Sequence, residues 1–499
     1  MLPYFPGPER NGLLYIFCKR MDAIMYSDRE SGSMNGLNEL VSERLHQGIP
    51  QVIERDDIME ALPQPACFNR VQIVCGMRRS GKAFYLFQIM NRLLKRGVSS
   101  NRIFYFDFSD DRLPVSEPHL MDAVLEEYWR QVPEARIQGC YLFLDEVQGC
   151  PRWQGTCRRV AENENVTLYI TGSSSKVSEE GIATDFRGRA HVHEMLPCSF
   201  KEFLRFHEEV LPEGATAESC VEDVRMDAIS PQERTALEAL FDRYLIVGGF
   251  PGVQRDSAAA RLEVLQGYVR DVGSRDVADR ISVAPSLAHQ AALFILRNTS
   301  CETSVNIVKE ALQEGGGSIG WETTAQMIQL LEQAYLFFEV HDYSRGMLPS
   351  RRNPPKLYAV DPGLAFSVSR ASREDAGKRL EPAVYLELKR RMAGRRADSI
   401  SSWTEPGKRG RKVDFLVGES FAGEAAAAEP YLLLQTSLSP ASDKTRSRET
   451  SSLDAAFETT GLSEGSIVTL REEGTAPAEH GQIHIIPAWK WSLSGKEAF

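Results

Sequence analysis

The apolar residues in the first part of the chain fall into short continuous runs that are separated by amphipathic segments. The runs have the length of buried strands and lie at residues 71–75, 102–108, 141–146 and 166–173. Between the first two runs, residues 84–94 repeat apolar side chains at helical spacing. Strands that alternate with helices predict a parallel α/β sheet, and ligands of such sheets bind at the carboxyl ends of the strands.

The pattern changes after this sheet. Helical spacing dominates residues 199–280, where a polar, acidic stretch at Glu213–Glu233 predicts a surface loop. Three helices and a strand pair then predict a winged-helix-like module. Five regions are predicted in this order: a poorly ordered extension (1–34), a P-loop core (35–198), a helical lid (199–280), the winged-helix-like module (281–365) and an α/β C-terminal domain (366–499).

Composition narrows the class of protein. The 499 residues exceed what one hydrophobic core usually holds. The net charge of −11 argues against a chain that coats nucleic acid, and no apolar run reaches the length of a membrane span. The nine cysteines form no C-x-x-C pair, which predicts a reduced, cytoplasmic environment. Basic residues form local clusters at 351–352, 389–391, 395–396 and 408–412.

The segment VQIVCGMRRSGKAF at Val71–Phe84 joins an apolar run to a glycine-rich turn and a lysine that opens a helix. This order is typical of a polyphosphate-binding loop, because backbone amides can surround phosphates only where glycine leaves room, while the lysine reaches the β and γ phosphates. Contacts to ATP are therefore predicted for Gly76, Met77, Arg78, Arg79, Ser80, Gly81, Lys82 and Ala83. Ala83 departs from the motif, which has a Mg²⁺-binding serine or threonine at that position. The cradle looks complete, and the magnesium site lacks one ligand.

A second acidic strand supplies the remaining chemistry. The run at Tyr141–Glu146 ends in two carboxylates. Asp145 is the candidate ligand of Mg²⁺, and Glu146 is the candidate base that orients and deprotonates the attacking water. The next run ends in Thr171 and Ser173, and either hydroxyl is a candidate contact to the γ-phosphate or to the water. A polar strand end that only caps a loop is the equal alternative for each.

Four arginines are candidates for sensing the γ-phosphate. Arg187 and Arg189 precede a short strand, and one of them can act in cis or as an arginine finger in a neighbouring subunit. Arg270 and Arg275 lie on the predicted lid. A solvated turn is the alternative explanation for Arg187 and Arg189, and surface salt bridges are the alternative for Arg270 and Arg275.

The segments GMRRSGK, YLFLDEVQ, ITGSSS, RGR, LPCSFKEFL and YLIVGGFP occur in this order. In this set the chain resembles the bacterial and archaeal AAA+-type ATP-binding proteins that carry a C-terminal domain of unknown function, over about residues 35–455. The resemblance implies a P-loop NTPase core that binds ATP. In that family the residue after the loop lysine is usually serine or threonine, so Ala83 puts magnesium binding and hydrolysis in question.

The last region has the pattern of a metal-dependent nuclease with one position changed. Glu381 or Glu387 lies on a predicted helix, Asp414 opens a strand, and Gln435 lies on a later strand. Restriction-endonuclease-like nucleases use such residues and a following lysine to hold Mg²⁺ and activate water. Because Ser437 stands in place of that lysine, a nuclease-like scaffold with an inactive site is predicted.

Three functional hypotheses result. The leading one is an AAA+-like ATPase that hydrolyses ATP with Mg²⁺ and moves its C-terminal modules. The alternative is a nucleotide-binding switch or scaffold with weak or no hydrolysis, and a Mg²⁺-dependent nuclease is third. A protein partner or a second copy of the chain is expected. The basic clusters leave nucleic acid open, although the presumed reading helix WETTAQMIQLLEQAY has no arginine or lysine and favours protein contact.

Overall fold

The computed structural model describes residues 36–59, 61–114, 117–172, 186, 188–316, 318–343, 354–369, 377–393, 399–405, 410–418, 430–438 and 443–495. The predicted extension at 1–34, Ser173 and Arg187 lie outside these residues.

A five-stranded parallel sheet forms the N-terminal core, as predicted. Its strands lie in the order β2-β3-β4-β1-β5, and every neighbouring pair is parallel. The strands are β1 (Val71–Cys75), β2 (Ile103–Asp107), β3 (Cys140–Asp145), β4 (Val166–Thr171) and β5 (Ala190–Glu194). Since all five run the same way, the residues that follow β1, β3 and β4 meet at one edge of the sheet.

Helices cover both faces of this sheet. They are α1 (Leu37–His46), α2 (Lys82–Lys95), α3 (Leu120–Gln131), α4 (Pro133–Gln138) and α5 (Trp153–Asn163). Alternate strand residues point to opposite faces. Those that pack with α2 include Tyr105, Tyr141, Phe143 and Tyr169. Those that pack with α1, α3 and α5 include Phe104, Phe106, Leu142 and Leu168.

The region after β5 is helical, as predicted. Its helices are α6 (Phe200–Phe206), α7 (Ala217–Arg225), α8 (Pro231–Val247) and α9 (Ala258–Asp271), which continues through a π-helical turn (Val272–Ala278) into α10 (Asp279–Ile281). The prediction of a surface loop at Glu213–Glu233 is wrong. Thr216 caps α7, and Cys220, Val221 and Val224 of that helix are buried. The apolar spacing and the cap therefore outweigh the acidic composition.

Three helices and a strand pair follow in the predicted order. They are α11 (Pro285–Arg297), α12 (Val305–Glu314), α13 (Trp321–Gln333) and the antiparallel hairpin of β6 (Phe337–Val340) and β7 (Lys356–Ala359), after which comes α14 (Pro362–Val368). This order fits the winged-helix-like prediction. The classification of the module stays a prediction.

The C-terminal domain contains a mixed six-stranded sheet in the order β12-β13-β11-β10-β9-β8. Its strands are β8 (Ile400–Thr404), β9 (Lys412–Gly418), β10 (Pro430–Ser437), β11 (Glu464–Thr469), β12 (Gly474–Pro477) and β13 (Gln482–Pro487), and its helices are α15 (Gly377–Arg391), α16 (Asp443–Thr460) and α17 (Ala488–Leu493). One hydrophobic cluster runs from the lid through the module into this domain. None of the described helices is both long and apolar enough to cross a bilayer.

Candidate functional site

The loop between β1 and α2 lies at the carboxyl edge of the first sheet. Gly76 and Gly81 have φ angles of 144° and 103°, which favour glycine. A Cβ on Gly76 would lie 2.2 Å from the carbonyl oxygen of Met195, so close backbone packing requires this glycine. Within the described chain, no side chain caps the first turn of α2, which begins at Lys82. Free amides at a helix start are suited to an anion.

Lys82 is 5% exposed and lies inside this loop. Its Nζ donates to the carbonyl oxygens of Gly76 and Met77, at 3.0 Å and 3.1 Å. Burial lowers the pKa of Lys82, and the nearby charges of Glu146 and Asp145 oppose that effect. The hydroxyl of Ser80 is buried with no hydrogen-bond partner in the described part of the chain. The ammonium of Lys82 and the Ser80 hydroxyl, which has no partner in the described chain, are both groups that can donate to a phosphate.

Three predicted residues, Asp145, Glu146 and Thr171, lie together at the carboxyl edge of the first sheet, which we call the acidic edge. The hydroxyl of Thr171 donates to Asp145 Oδ1, and the Glu146 amide contacts Asp145 Oδ1 at 3.1 Å and Thr171 Oγ1 at 3.2 Å. The hydroxyl of Tyr105 donates to Asp145 Oδ2 at 2.7 Å. Burial raises the pKa of Asp145 to about 6, the Thr171 hydroxyl opposes this, and the charges of Asp107 and Glu146 add to it.

Glu146 has the backbone conformation of a constrained residue. Its φ angle is 51°, in the left-handed region that residues other than glycine seldom adopt. Gln148 donates to its Oε2 and so fixes the carboxylate. The residues of this edge fit a phosphate and a hydrated Mg²⁺ on Asp145, whereas Ala83 offers no oxygen for the metal.

Residues 68–204 match the family model of an AAA domain. The match begins just before β1 and ends within α6, so it contains the loop and the acidic edge. Residues 238–375 match a second model, a domain of unknown function (DUF8612). That match runs from α8 through the hairpin of β6 and β7 to just beyond α14. We call the first matched part the AAA-like domain.

Two relatives cover most of the chain. An uncharacterised protein of Methanocaldococcus jannaschii is 28% identical over 455 residues, which is 89% of this chain and 92% of the relative. An uncharacterised protein of Haemophilus influenzae is 25% identical over 343 residues, or 68% of this chain and 79% of the relative. Among solved structures, a Walker-type ATPase of Pyrococcus abyssi aligns with a TM-score of 0.38 and 13% identity, over 68% of this chain and 96% of that chain.

The helix α9 and the π-helical turn after it contact the loop of the AAA-like domain through two residues for which no role was predicted, Tyr268 and Asp276. Arg78 Nε donates to Asp276 Oδ2 at 3.1 Å, and Asp276 lies in the π-helical turn. Burial opposes the charge of Arg78, but the hydrogen bond and the charge of Asp276 raise its pKa overall. The guanidinium of Arg79 lies 5.1 Å from the centre of the Tyr268 ring on α9. The predicted lid candidates Arg270 and Arg275 are exposed.

A buried ion pair supports the loop from below. Arg55 Nε donates to Glu202 Oε1 at 2.7 Å, and Arg55 Nη1 donates to the Ser80 carbonyl oxygen at 2.9 Å. Its Nη2 also donates to the carbonyl oxygen of Leu196. Arg55 therefore joins the segment before β1, the loop between β1 and α2, and α6. The sequence contains no local signal for it, because its partners lie far along the chain.

The structure does not bring Arg189 to the acidic edge. Arg189 immediately precedes β5, which pairs in parallel with β1 from Val71 onward. It therefore lies at the amino edge of the sheet, where its side chain is paired with Glu162 and is 52% exposed. Its role as an arginine finger in a neighbouring subunit stays a prediction.

A second polar cluster lies in the C-terminal domain and contains three of the predicted nuclease residues. Lys356 Nζ lies 3.0 Å from Glu381 Oε1 and 2.8 Å from Asp414 Oδ1. The Asp414 amide donates to Gln435 Oε1 at 3.0 Å. Burial raises the pKa of Glu381 to about 7, and the charge of Asp414 adds to this while Lys356 opposes it. Lys356 comes from β7, and nothing near it in sequence indicates this position. The alternative candidate Glu387 pairs with Arg391 instead.

One of the predicted basic clusters is internal. Lys389 pairs with Glu194 of β5 at 3.0 Å, and Arg390 donates to the carbonyl oxygen of Pro197 at 2.8 Å. Arg391 donates to the Trp491 carbonyl oxygen. These three cations attach α15 to its neighbours, so they form no free basic surface. The clusters at 351–352 and 395–396 lie outside the described residues.

Proposed function

We propose that this protein is an ATP-binding ATPase of the AAA type, whose loop from Gly76 to Ala83 holds the phosphates of Mg-ATP. The observation that carries the proposal is the convergence of Lys82, Asp145, Glu146 and Thr171 at one sheet edge beside a helix start that no described side chain caps. The match of this region to an AAA domain supports the same conclusion.

Each residue then has a role that follows from its chemistry. Lys82 exchanges two carbonyl contacts for phosphate oxygens, which bind an ammonium more strongly because they are charged. Asp145 would hold a hydrated Mg²⁺, and the ion would supply positive charge to the phosphates. Glu146 orients and deprotonates the attacking water. Thr171 donates to the Asp145 carboxylate and accepts from the backbone amide of Glu146, so it holds both residues in place.

Nucleotide binding and turnover in two variants test this proposal. Lys82→Ala should abolish binding of N-methylanthraniloyl-ATP, because the loop loses its cation. The matched control is Lys95→Ala, an exposed lysine at the other end of the same helix, which should bind normally. Glu146→Gln should retain binding and lose phosphate release. Normal turnover in both Lys82→Ala and Glu146→Gln would refute the assignment.

Ala83 favours slow hydrolysis, and we keep a nucleotide-dependent switch as the second form of the proposal. A hydroxyl at this position would give Mg²⁺ another protein ligand. Ala83→Ser should therefore raise phosphate release if the metal site limits the rate. Fast wild-type hydrolysis that this substitution leaves unchanged would contradict the idea of an incomplete metal site.

The contact of Arg78 with Asp276 is the proposed route from nucleotide to the C-terminal modules. Phosphate groups compete with the Asp276 carboxylate for the arginine. Loss of that ion pair would release the π-helical turn, which lies between α9 and the winged-helix-like module. Turns of this kind often occur at functional sites. The client that these modules act on is a protein partner or another copy of the chain.

A nuclease is the third candidate, because Glu381 and Asp414 share the ammonium of Lys356 and the Asp414 amide donates to Gln435. Lys356 supplies the amine that Ser437 cannot. The same ammonium, however, lies between the two carboxylates, where a divalent cation would bind. Incubation of labelled single- and double-stranded DNA with Mg²⁺ or Mn²⁺ should give no cleavage. Cleavage that Asp414→Asn abolishes would establish the nuclease instead.

A further inference from the structure

Tyr105 approaches the acidic edge from the neighbouring strand. In the register of β2 and β3, Tyr105 lies opposite Phe143, and Asp107 lies opposite Asp145. Tyr105 and Asp145 are therefore diagonal neighbours on the face that α2 covers, which a long side chain can span. The Tyr105 hydroxyl donates to Asp145 Oδ2 at 2.7 Å. Because Thr171 donates to Oδ1, each carboxylate oxygen receives one hydroxyl.

The ring of Tyr105 packs against the start of the helix that follows the loop. Its centre lies 4.9 Å from the centre of the Phe87 ring. Phe87 comes one helical turn after Ala83, so the two residues share a face of α2. Tyr105 therefore packs against the face of α2 that also carries Ala83.

We propose that the Tyr105 hydroxyl is a positioning group for Asp145, the carboxylate on which metal binding depends because Ala83 supplies no ligand. A buried carboxylate is stable only when hydrogen-bonded, and two hydroxyls on its two oxygens fix its orientation. Each oxygen can accept more than one partner, so Asp145 can keep both hydroxyls while it contacts a hydrated Mg²⁺. This inference rests on the proposed ATP site, and it assigns the orientation of the Asp145 carboxylate to a residue outside the motifs.

The test is the Mg²⁺ dependence of nucleotide affinity in Tyr105→Phe. N-methylanthraniloyl-ATP is titrated in MgCl₂ and again in EDTA. Affinity in MgCl₂ should fall about tenfold, which corresponds to about 1.4 kcal/mol, while affinity in EDTA stays unchanged. Phenylalanine keeps the contact with Phe87, so the melting temperature should change little. Tyr141→Phe is the matched control, because Tyr141 lies on the same face and its hydroxyl bonds Gln64 instead, at 2.9 Å.

A rescue variant separates positioning from a general structural effect. Ala83→Ser is made in wild type and in Tyr105→Phe, because a hydroxyl at position 83 would add a ligand for Mg²⁺ in either background. It should raise the affinity in MgCl₂ more in Tyr105→Phe than in wild type and so restore it there, whereas a structural defect in the sheet would give the same gain in both. Mg²⁺-dependent binding that is equal in wild type and Tyr105→Phe, or a double variant without recovery, would overturn the role of Tyr105 alone. If wild type binds no nucleotide in either buffer, the proposed function falls, and this inference falls with it.

Discussion

Removal of the charge of Glu202 should destabilise the protein and weaken its phosphate loop. The Glu202 carboxylate is 4% exposed and receives two hydrogen bonds from Arg55, whose guanidinium also holds the Ser80 carbonyl oxygen. Glu202→Gln keeps the shape of the side chain but leaves Arg55 as a buried cation without a counter-charge. We expect both the free energy of unfolding and the affinity for nucleotide to fall.

The magnitude follows from the electrostatics of the pair. Burial by itself would raise the pKa of Glu202, but the charge and hydrogen bonds of Arg55 lower it from 4.5 to about 2. The difference corresponds to about 3 kcal/mol of stability at neutral pH. Removal of one partner from a buried ion pair usually lowers the free energy of unfolding by about 3–5 kcal/mol, which agrees with this value. Because the folded-state pKa is the lower one, this stability is present above pH 4.5 and is lost as the pH falls toward 2.

The assay is urea unfolding followed by circular dichroism. At pH 7, Glu202→Gln should unfold with about 3 kcal/mol less free energy than wild type, and about half of that difference should remain at pH 3. The control is Glu218→Gln, which removes the partner of Arg205 on the same helix α6. Because the Glu218 side chain is 56% exposed, the loss there should be at most about 1 kcal/mol. Equal losses in the two variants at pH 7 would refute the reasoning.

Three further outcomes are expected. Gly76→Ala should lower the free energy of unfolding by about 2 kcal/mol or more, since its Cβ would meet a carbonyl oxygen at 2.2 Å and its φ is 144°. The control is Gly155→Ala, where a Cβ meets nothing within 4 Å. This variant should instead stabilise α5 in thermal unfolding. Asp276→Asn should raise the affinity for N-methylanthraniloyl-ATP about threefold, because a carboxylate no longer competes for the loop arginine; weaker binding would mean that the pair organises the loop. Lys356→Met should lower the free energy of unfolding by about 3 kcal/mol at pH 8, measured with urea, and by less at pH 6. Burial raises the pKa of Glu381 to about 7, so at pH 6 that carboxyl takes up a proton and no longer needs the lysine charge. An equal loss at both pH values would contradict this.

Local sequence was sufficient for most of the elements. Strand runs and helical spacing extend over neighbouring residues, so the predicted runs and the helical stretch at 84–94 differ from the bounds of β1–β4 and α2 by a residue or two. The loop between β1 and α2 was also predictable, because its glycines, lysine and following helix are consecutive. The same logic would have found α7, where Thr216 caps a segment with apolar residues at helical spacing. In this segment the cap and the spacing of apolar residues predict the structure better than the acidic composition does.

The sequence by itself determined the parallel core, the glycine-rich loop after β1 and the two carboxylates beside it, since each of these depends on the spacing of residues close together in the chain. Only the tertiary structure decided which side chains complete the two polar sites. Arg55, Tyr105 and Asp276 meet the loop or Asp145 from three separate elements, and Lys356 reaches its carboxylates from a strand of another module. Such partners depend on strand register and on the packing of segments distant in sequence, and short-range periodicity does not encode either.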